Sequence, residues 1–284
     1  MTRPATPIPA RLARIVRLVA HVVRGLWLTR TRYAGLAPAK QDAVLRSWSR
    51  ELLAILRVDV RFHNAPETLP ERCLLVSNHV SWLDIFAVYA AAPGLFVAKS
   101  EIRDWPVVGR LVRRVGTLFI ERGSRRHARR TNERIVAALE SGRLVAVCPE
   151  GTTTDGRSLR HFHAALLQPA IDARALVLPV ALRFVDGDGS QTEAPIYVGD
   201  MSLVESLWRI ASTQSMAVEL RFAPYVNADG HHRRELAQRV HGVIARELGL
   251  EPGHSPPERT AGRPAGPPSG IPVHGPHPAP ADPR

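Results

Sequence analysis

The chain has 284 residues, 45% of them apolar, and a formal net charge of +12. That is enough for one large domain or two small ones with a sizeable core, and it excludes a wholly disordered or fibrous protein. The positive excess points to an anionic partner, whether nucleic acid, anionic lipid or an acidic protein. The two cysteines, Cys73 and Cys148, each sit in an apolar run. They read as reduced core thiols in a cytoplasmic setting, and their wide separation offers no metal-ligand spacing.

No uninterrupted apolar run reaches the ~18 residues a spanning helix needs. The N-terminal arginines and short apolar run lack a convincing small-residue cleavage site, so neither a spanning helix nor a cleaved leader is expected. Residues 8–29 instead predict an amphipathic helix. Arg11, Arg14, Arg17, His21 and Arg24 fall on one side of the wheel; Leu12, Ile15, Val16, Val19, Val22, Val23, Leu26 and Trp27 fall on the other. Such segregation suits an anionic membrane surface, or a helix packed on its own domain. Residues 40–57 predict a second helix with Val44, Leu45, Trp48, Leu52 and Ile55 on one face, so that residues 1–57 form a helical hairpin ahead of the sheet.

From Val58 onward, predicted strands alternate with predicted helices. Strands are expected at 58–62, 73–77, 95–98, 117–120, 144–148, 176–183, 194–198 and 217–222. Helices are expected at 82–92, 105–114, 124–141 (capped by Ser124 and stopped by Gly142), 161–173, 201–211 and 231–248. This pattern predicts an α/β domain over residues 58–250, a mixed central sheet flanked by helices. Beyond residue 250 the character changes: from Pro252 to the end lie 11 of the 24 prolines and five glycines. Residues 251–284 are expected to be a disordered tail.

Several expected strands end in a polar or charged cluster, at His79, Lys99, Arg122 and Glu150. Strand ends along one edge of an α/β sheet are where such chemistry gathers. The strand 73–77 delivers Asn78-His79-Val80-Ser81-Trp82-Leu83-Asp84 to a helix start. A neutral His79 can accept a proton, and Asp84 can hold the other ring nitrogen and set the tautomer. The same residues also fit a helix capping box, Ser81-x-x-Asp84, in which Asp84 only satisfies backbone donors. Arg125, Arg126, Arg129 and Arg130 crowd the start of a helix, against its dipole, which indicates a nearby anion site or a solvated basic face. His161-Phe162-His163 has the residue types of a metal site but no third ligand.

Four motifs now stand in order: Asn78 to Asp84; Gly116-Thr117-Leu118-Phe119-Ile120-Glu121-Arg122; Pro149-Glu150-Gly151-Thr152-Thr153; and Val177-Leu178-Pro179-Val180. Together they closely resemble the 1-acylglycerol-3-phosphate (lysophosphatidate) acyltransferase family over residues 60–225. The resemblance implies His79 as general base with Asp84 orienting it. It implies Arg122 on the acceptor's phosphate; Glu150, Gly151 and Thr152 forming the acceptor site; and Pro179 near the acyl-donor side. Lys99 is a further phosphate-supporting position or a surface lysine. Many members carry arginine where this chain has Thr153. The resemblance also implies direct acyl transfer without a metal or resident cofactor, acyl-CoA or acyl carrier protein serving as the donor substrate. Phosphatidate synthesis on the cytoplasmic face of the inner membrane, by a peripheral or monotopic protein, is the expected activity, with a lyso-ornithine lipid as the alternative acceptor. No nucleic-acid motif accompanies the charge, so no nucleic-acid partner is expected. A tail-driven interaction protein is the remaining reading of another class.

Overall fold

A computed structural model of the chain describes residues 6–121 and 125–250. Arg122, the capping Ser124 and the proline-rich 251–284 lie outside the described residues.

Two helices come first, α1 (Ile8–Thr31) and α2 (Pro38–Ile55), each opened by a proline in its first turn, where the missing N–H costs nothing. Then β1 (Val58–His63), β2 (Cys73–Ser77), α3 (Leu83–Ala91), β3 (Leu95–Lys99), α4 (Val108–Arg114), β4 (Leu118–Ile120), α5 (Arg125–Glu140) and β5 (Val145–Val147) alternate. The chain closes with α6 (Gln168–Asp172), β6 (Leu176–Val185), α7 (Leu203–Ser212), β7 (Met216–Phe222), β8 (Val226–Asn227) and α8 (Arg233–Leu248).

The strands form one eight-stranded mixed sheet of order β1-β7-β6-β2-β5-β3-β4, with β8 antiparallel on the start of β6. β2 through β6 run parallel, while β7 is antiparallel to β6 and carries β1 parallel to itself. The central strand β2, Cys-Leu-Leu-Val-Ser, is buried along its whole length. It reads as a continuous apolar run because both faces of the sheet are covered. Cys73 and Leu75 join the core beneath α2 and α3; Leu74 and Val76 join the core beneath α5, α6 and α8.

Three expectations are corrected. Residues 194–198 form no strand; Tyr197 N–H goes to Val80 O at 3.1 Å, so this segment is tied to a loop and not to a ladder. The helix expected over 161–173 breaks into a short 3-10 turn, Ala164–Leu166, and α6, which starts afresh with Pro169 in its first turn. The helix expected from Trp105 begins at Val108, after a separate 3-10 turn over Ser100–Asp104.

Helix α1 docks with the side that looked polar. Leu18, His21, Gly25 and Thr29 are its buried residues. His21 Nε2–H donates to Trp48 O at 3.0 Å, and the two rings stack at 4.5 Å. Ile8, Leu12, Val16, Val19, Val23 and Trp27 form an outward apolar stripe, every one of them more than half exposed. No helix among the described residues is long and apolar enough to cross a membrane.

Gly25 makes the α1–α2 contact possible, since a Cβ there would stand 2.8 Å from Trp48 Nε1. We expect Gly25→Val to weaken the docking of α1 by about 1–3 kcal/mol through overpacking. The readout is faster protease cleavage within α1 while cleavage in the sheet domain stays slow; equal protection of both proteins would contradict this packing.

Candidate active site

The site is built where β2 ends. At Asn78 the main chain leaves the sheet and the side chain takes over the ladder. Its Nδ2 donates to Leu182 O at 2.9 Å and its Oδ1 accepts from Leu182 N at 2.7 Å. The next residue, His79, is therefore presented from a fixed point on β6.

Two loop contacts hold the His79 peptide. Its N–H donates to Glu150 Oε1 at 2.8 Å, and its carbonyl accepts from Thr154 N at 2.8 Å and the Thr154 hydroxyl at 3.3 Å. The imidazole then meets Asp84, with Nδ1 2.8 Å from Oδ2. The same oxygen accepts from the N–H groups of Val80 at 2.6 Å and Ser81 at 2.9 Å. Asp84 is fully buried in the first turn of α3, near the positive end of that helix, while the His79 side chain stays one-fifth exposed. A carboxylate that already accepts from two N–H groups accepts a third from Nδ1–H, so Nε2 carries the lone pair. Both readings of Asp84 are realised in one atom: it caps the turn and it orients the histidine.

Glu150 does not stand open to a ligand. Its Oε1 takes the His79 N–H and its Oε2 takes the Arg160 N–H at 3.0 Å, and the residue is buried. Burial pushes its carboxyl up to about 7, against the two backbone N–H groups that favour the ionised form. Gly151 turns the loop at φ +66°, a conformation that favours glycine. Thr152, partly buried, follows on the same loop. Thr153, where arginine was expected, donates its hydroxyl to Tyr197 O. Gln191 Nε2 adds a bond to Asp155 O at 2.9 Å, so the segment 191–197 clamps the loop that cradles His79.

Lys99 lies on the same sheet edge as the end of β2. Lys99 ends β3, in register with Ile120 of β4. β5 lies between β3 and β2, which puts Lys99 roughly 10 Å from the β2 end by strand spacing. Arg122, two residues beyond β4, lies outside the described residues. Pro179 sits within β6 opposite Val76. Cys148 lies close by, with Sγ 3.4 Å from Ser77 Oγ, but burial drives its thiol well above the usual range. A thiol kept protonated is a poor nucleophile. His161 and His163 face each other at 6.2 Å, and Phe162 between them packs edge-on against His241.

Sequence reasoning missed Asn78 and Thr154 as positioning residues. The asparagine directly before His79 was the available signal, because a side-chain amide can continue a ladder that the backbone abandons.

The sequence pattern of the Acyltransferase family matches residues 58–183. A 1-acyl-sn-glycerol-3-phosphate acyltransferase of Neisseria meningitidis serogroup B is 38% identical over 250 residues, covering 84% of this chain and 95% of that protein. A lyso-ornithine lipid O-acyltransferase of Pseudomonas aeruginosa is 36% identical, covering 84% of this chain and 93% of that protein. The crystal structure of a 1-acyl-sn-glycerophosphate acyltransferase from Thermotoga maritima shares the fold, with a TM-score of 0.59 at 22% identity over 83% of this chain and 96% of that one. The chain belongs to the acyltransferase family that includes these 1-acyl-sn-glycerol-3-phosphate acyltransferases.

Glu150 gives a test of the loop. Glutamine keeps one acceptor oxygen and turns a donor against the other backbone N–H, at a cost of about 1–3 kcal/mol. The folded pKa is raised, from 4.5 to about 7. The carboxyl's contribution to stability is therefore fully present below the unfolded value and is lost as pH rises through about 7. Glutamine does not titrate. We expect the melting-temperature advantage of the wild type over Glu150→Gln to be largest near the acid end of that window and to shrink as pH rises through it. An advantage that grows with pH would mean that the two N–H donors outweigh burial.

Proposed function

We propose that this protein moves a fatty acyl group from an acyl thioester to the free hydroxyl of lysophosphatidate, forming phosphatidate, with His79 as general base. The observation that carries the reading is the Asp84–His79 pair: a buried carboxylate holds Nδ1–H at 2.8 Å and leaves Nε2 as the acceptor on a partly exposed ring.

The acceptor hydroxyl gives its proton to Nε2 as its oxygen attacks the thioester carbonyl. The C–O bond forms, the C–S bond breaks, and the imidazolium returns the proton to the leaving thiolate. Asp84 stabilises the imidazolium that exists between the two transfers. No enzyme nucleophile intervenes, in keeping with the protonated state of Cys148. The donor is acyl-CoA or an acyl carrier protein. Arg122, with Lys99, is assigned to the acceptor's phosphate, for which a guanidinium offers a planar, two-pronged donor.

Membrane attachment follows from α1. Its outward apolar stripe enters the interface of the cytoplasmic leaflet with Arg17 exposed beside it, while Arg24 is paired with Glu51. Arg14, which the helical wheel also offered to lipid, instead bonds to the protein's own carbonyls, while Arg11 gives only its Nε–H to Thr6 O and lays its guanidinium over the Trp208 ring.

The second reading, a lyso-ornithine lipid as acceptor, is favoured by the relative of that name at 36% identity. An assay of the purified chain with one acyl-CoA and both lysolipids separates the two. His79→Ala should abolish transfer, and Asp84→Asn should lower the rate by roughly 10²–10⁴-fold. A near-normal rate for Asp84→Asn with lowered thermal stability would leave only the capping role. Arg122→Ala should cut kcat/KM for lysophosphatidate about tenfold or more and leave a phosphate-free acceptor little changed. Equal losses on both acceptors would remove Arg122 from the phosphate. A wild-type preference for the phosphate-free lysolipid would move the assignment to the second reading.

A further inference from the structure

Helix α7 lies between the N-terminal helix and the catalytic loop and is fastened to both. On one side Ser206, fully buried, accepts from Trp82 Nε1 at 3.0 Å, and Trp82 stands between His79 and Asp84 in the chain. On the other side α1 closes the C-terminal end of α7. Arg14 donates to Ala211 O at 3.0 Å, Thr213 O at 2.6 Å and Gln214 O at 3.2 Å, and Thr6 N–H donates to Ser212 O at 2.9 Å. A cation at carbonyls that have lost their helical partners is favourable on both hydrogen-bond and dipole grounds.

The helix itself begins with a serine N-cap, Ser202 Oγ accepting from Glu205 N at 3.1 Å, and buries Ser206, Ile210 and Ala211. Beside the exposed Glu205, its outer side carries an apolar edge. Val204 is 78% exposed and Trp208, one turn on, is 40% exposed. A lone surface valine needs no explanation. These two share one helix edge, and that edge meets α1: the Arg11 guanidinium lies 5.3 Å over the Trp208 ring. Arg11 sits in the chain between Ile8 and Leu12, where the outward stripe of α1 begins.

We propose that α7 is a second lipid-contacting element, Val204 and Trp208 entering the headgroup boundary beside α1 and holding the catalytic loop at the surface where the lipid acceptor arrives. The proposal rests on the acyltransferase reading above. A lipid surface, and not a protein, fits the edge for three reasons. Two side chains are far less than the roughly 800 Å² per partner of a specific protein interface. A tryptophan with an apolar body and a polar N–H is suited to the membrane–water boundary. The guanidinium stacked on that ring supplies a cation at headgroup level. The consequence is mechanical: Trp208 is joined to the loop that carries His79 through Ser206 on its own helix and the Ser206–Trp82 hydrogen bond.

The test uses the full chain and vesicles of phosphatidylglycerol and phosphatidylcholine. Val204→Cys and Val16→Cys each carry an environment-sensitive dye, with the wild type as the labelling control. Dye emission should shift to the blue at both positions on addition of vesicles. Val204→Asp should raise the bulk lipid concentration for half-maximal rate about tenfold, the scale of withdrawing one valine-sized side chain from lipid. It should leave unchanged the rate on a short-chain lysolipid kept below its aggregation concentration. A dye at position 204 that stays in water while position 16 is buried would overturn the proposal. So would an equal slowing of the soluble reaction by Val204→Asp, which would mark the site as structural. Dye burial at both positions, with no acyl transfer by the wild type to any lysolipid, would instead sink the acyltransferase reading and leave the lipid contact standing.

Discussion

One oxygen atom organises this site. Asp84 Oδ2 accepts from the Val80 and Ser81 N–H groups and from His79 Nδ1, all within 2.9 Å. Each bond alone is ordinary for a charge-assisted contact. Together they tie the turn, the start of α3 and the imidazole to one point, so the loop cannot relax without the histidine losing its orientation. Because the carboxylate is fully buried and its Oδ1 has no partner, all of its compensation comes from the three donors on Oδ2, and losing any one of them is costly.

That point is held in the fold from two directions. From β6 the Asn78 amide pins the residue before the histidine; from the loop after β5, Glu150 and Thr154 take the histidine's own N–H and carbonyl. The sheet order explains why this is possible. β2 lies between β5 and β6, with all three strands parallel, so their ends open on one edge. Glu150 illustrates a division of labour. It is an expected acceptor-site residue, and both of its oxygens accept from backbone donors, one of them the His79 N–H.

The His79–Asp84 hydrogen bond was legible in the sequence because its two members are five residues apart, within one turn of chain. The alternation of strands and helices was legible for the same local reason, and the all-apolar β2 announced its burial on both faces. What could not be read were the long-range ties. His79 N–H to Glu150 spans 71 residues and Asn78 to Leu182 spans 104. The segment 194–198 has strand-forming residues, but its backbone groups go to Val80 and Thr153, a choice made by tertiary context. In α1 the wheel separated the arginines from the apolar residues but carried no information on which side docks. Arg14 at the end of α7 and His21 against Trp48 decide it.

The geometry has Asp84 holding His79 with its proton on Nδ1 and its lone pair on Nε2. Nitrogen-15 NMR of the His79 ring in the full chain, assigned by loss of the signal in His79→Gln, reads this directly. At about pH 8, where an ordinary histidine is neutral, the account predicts a protonated Nδ1 in a strong hydrogen bond and an unprotonated Nε2. A proton found on Nε2, with Nδ1 bare, would contradict it.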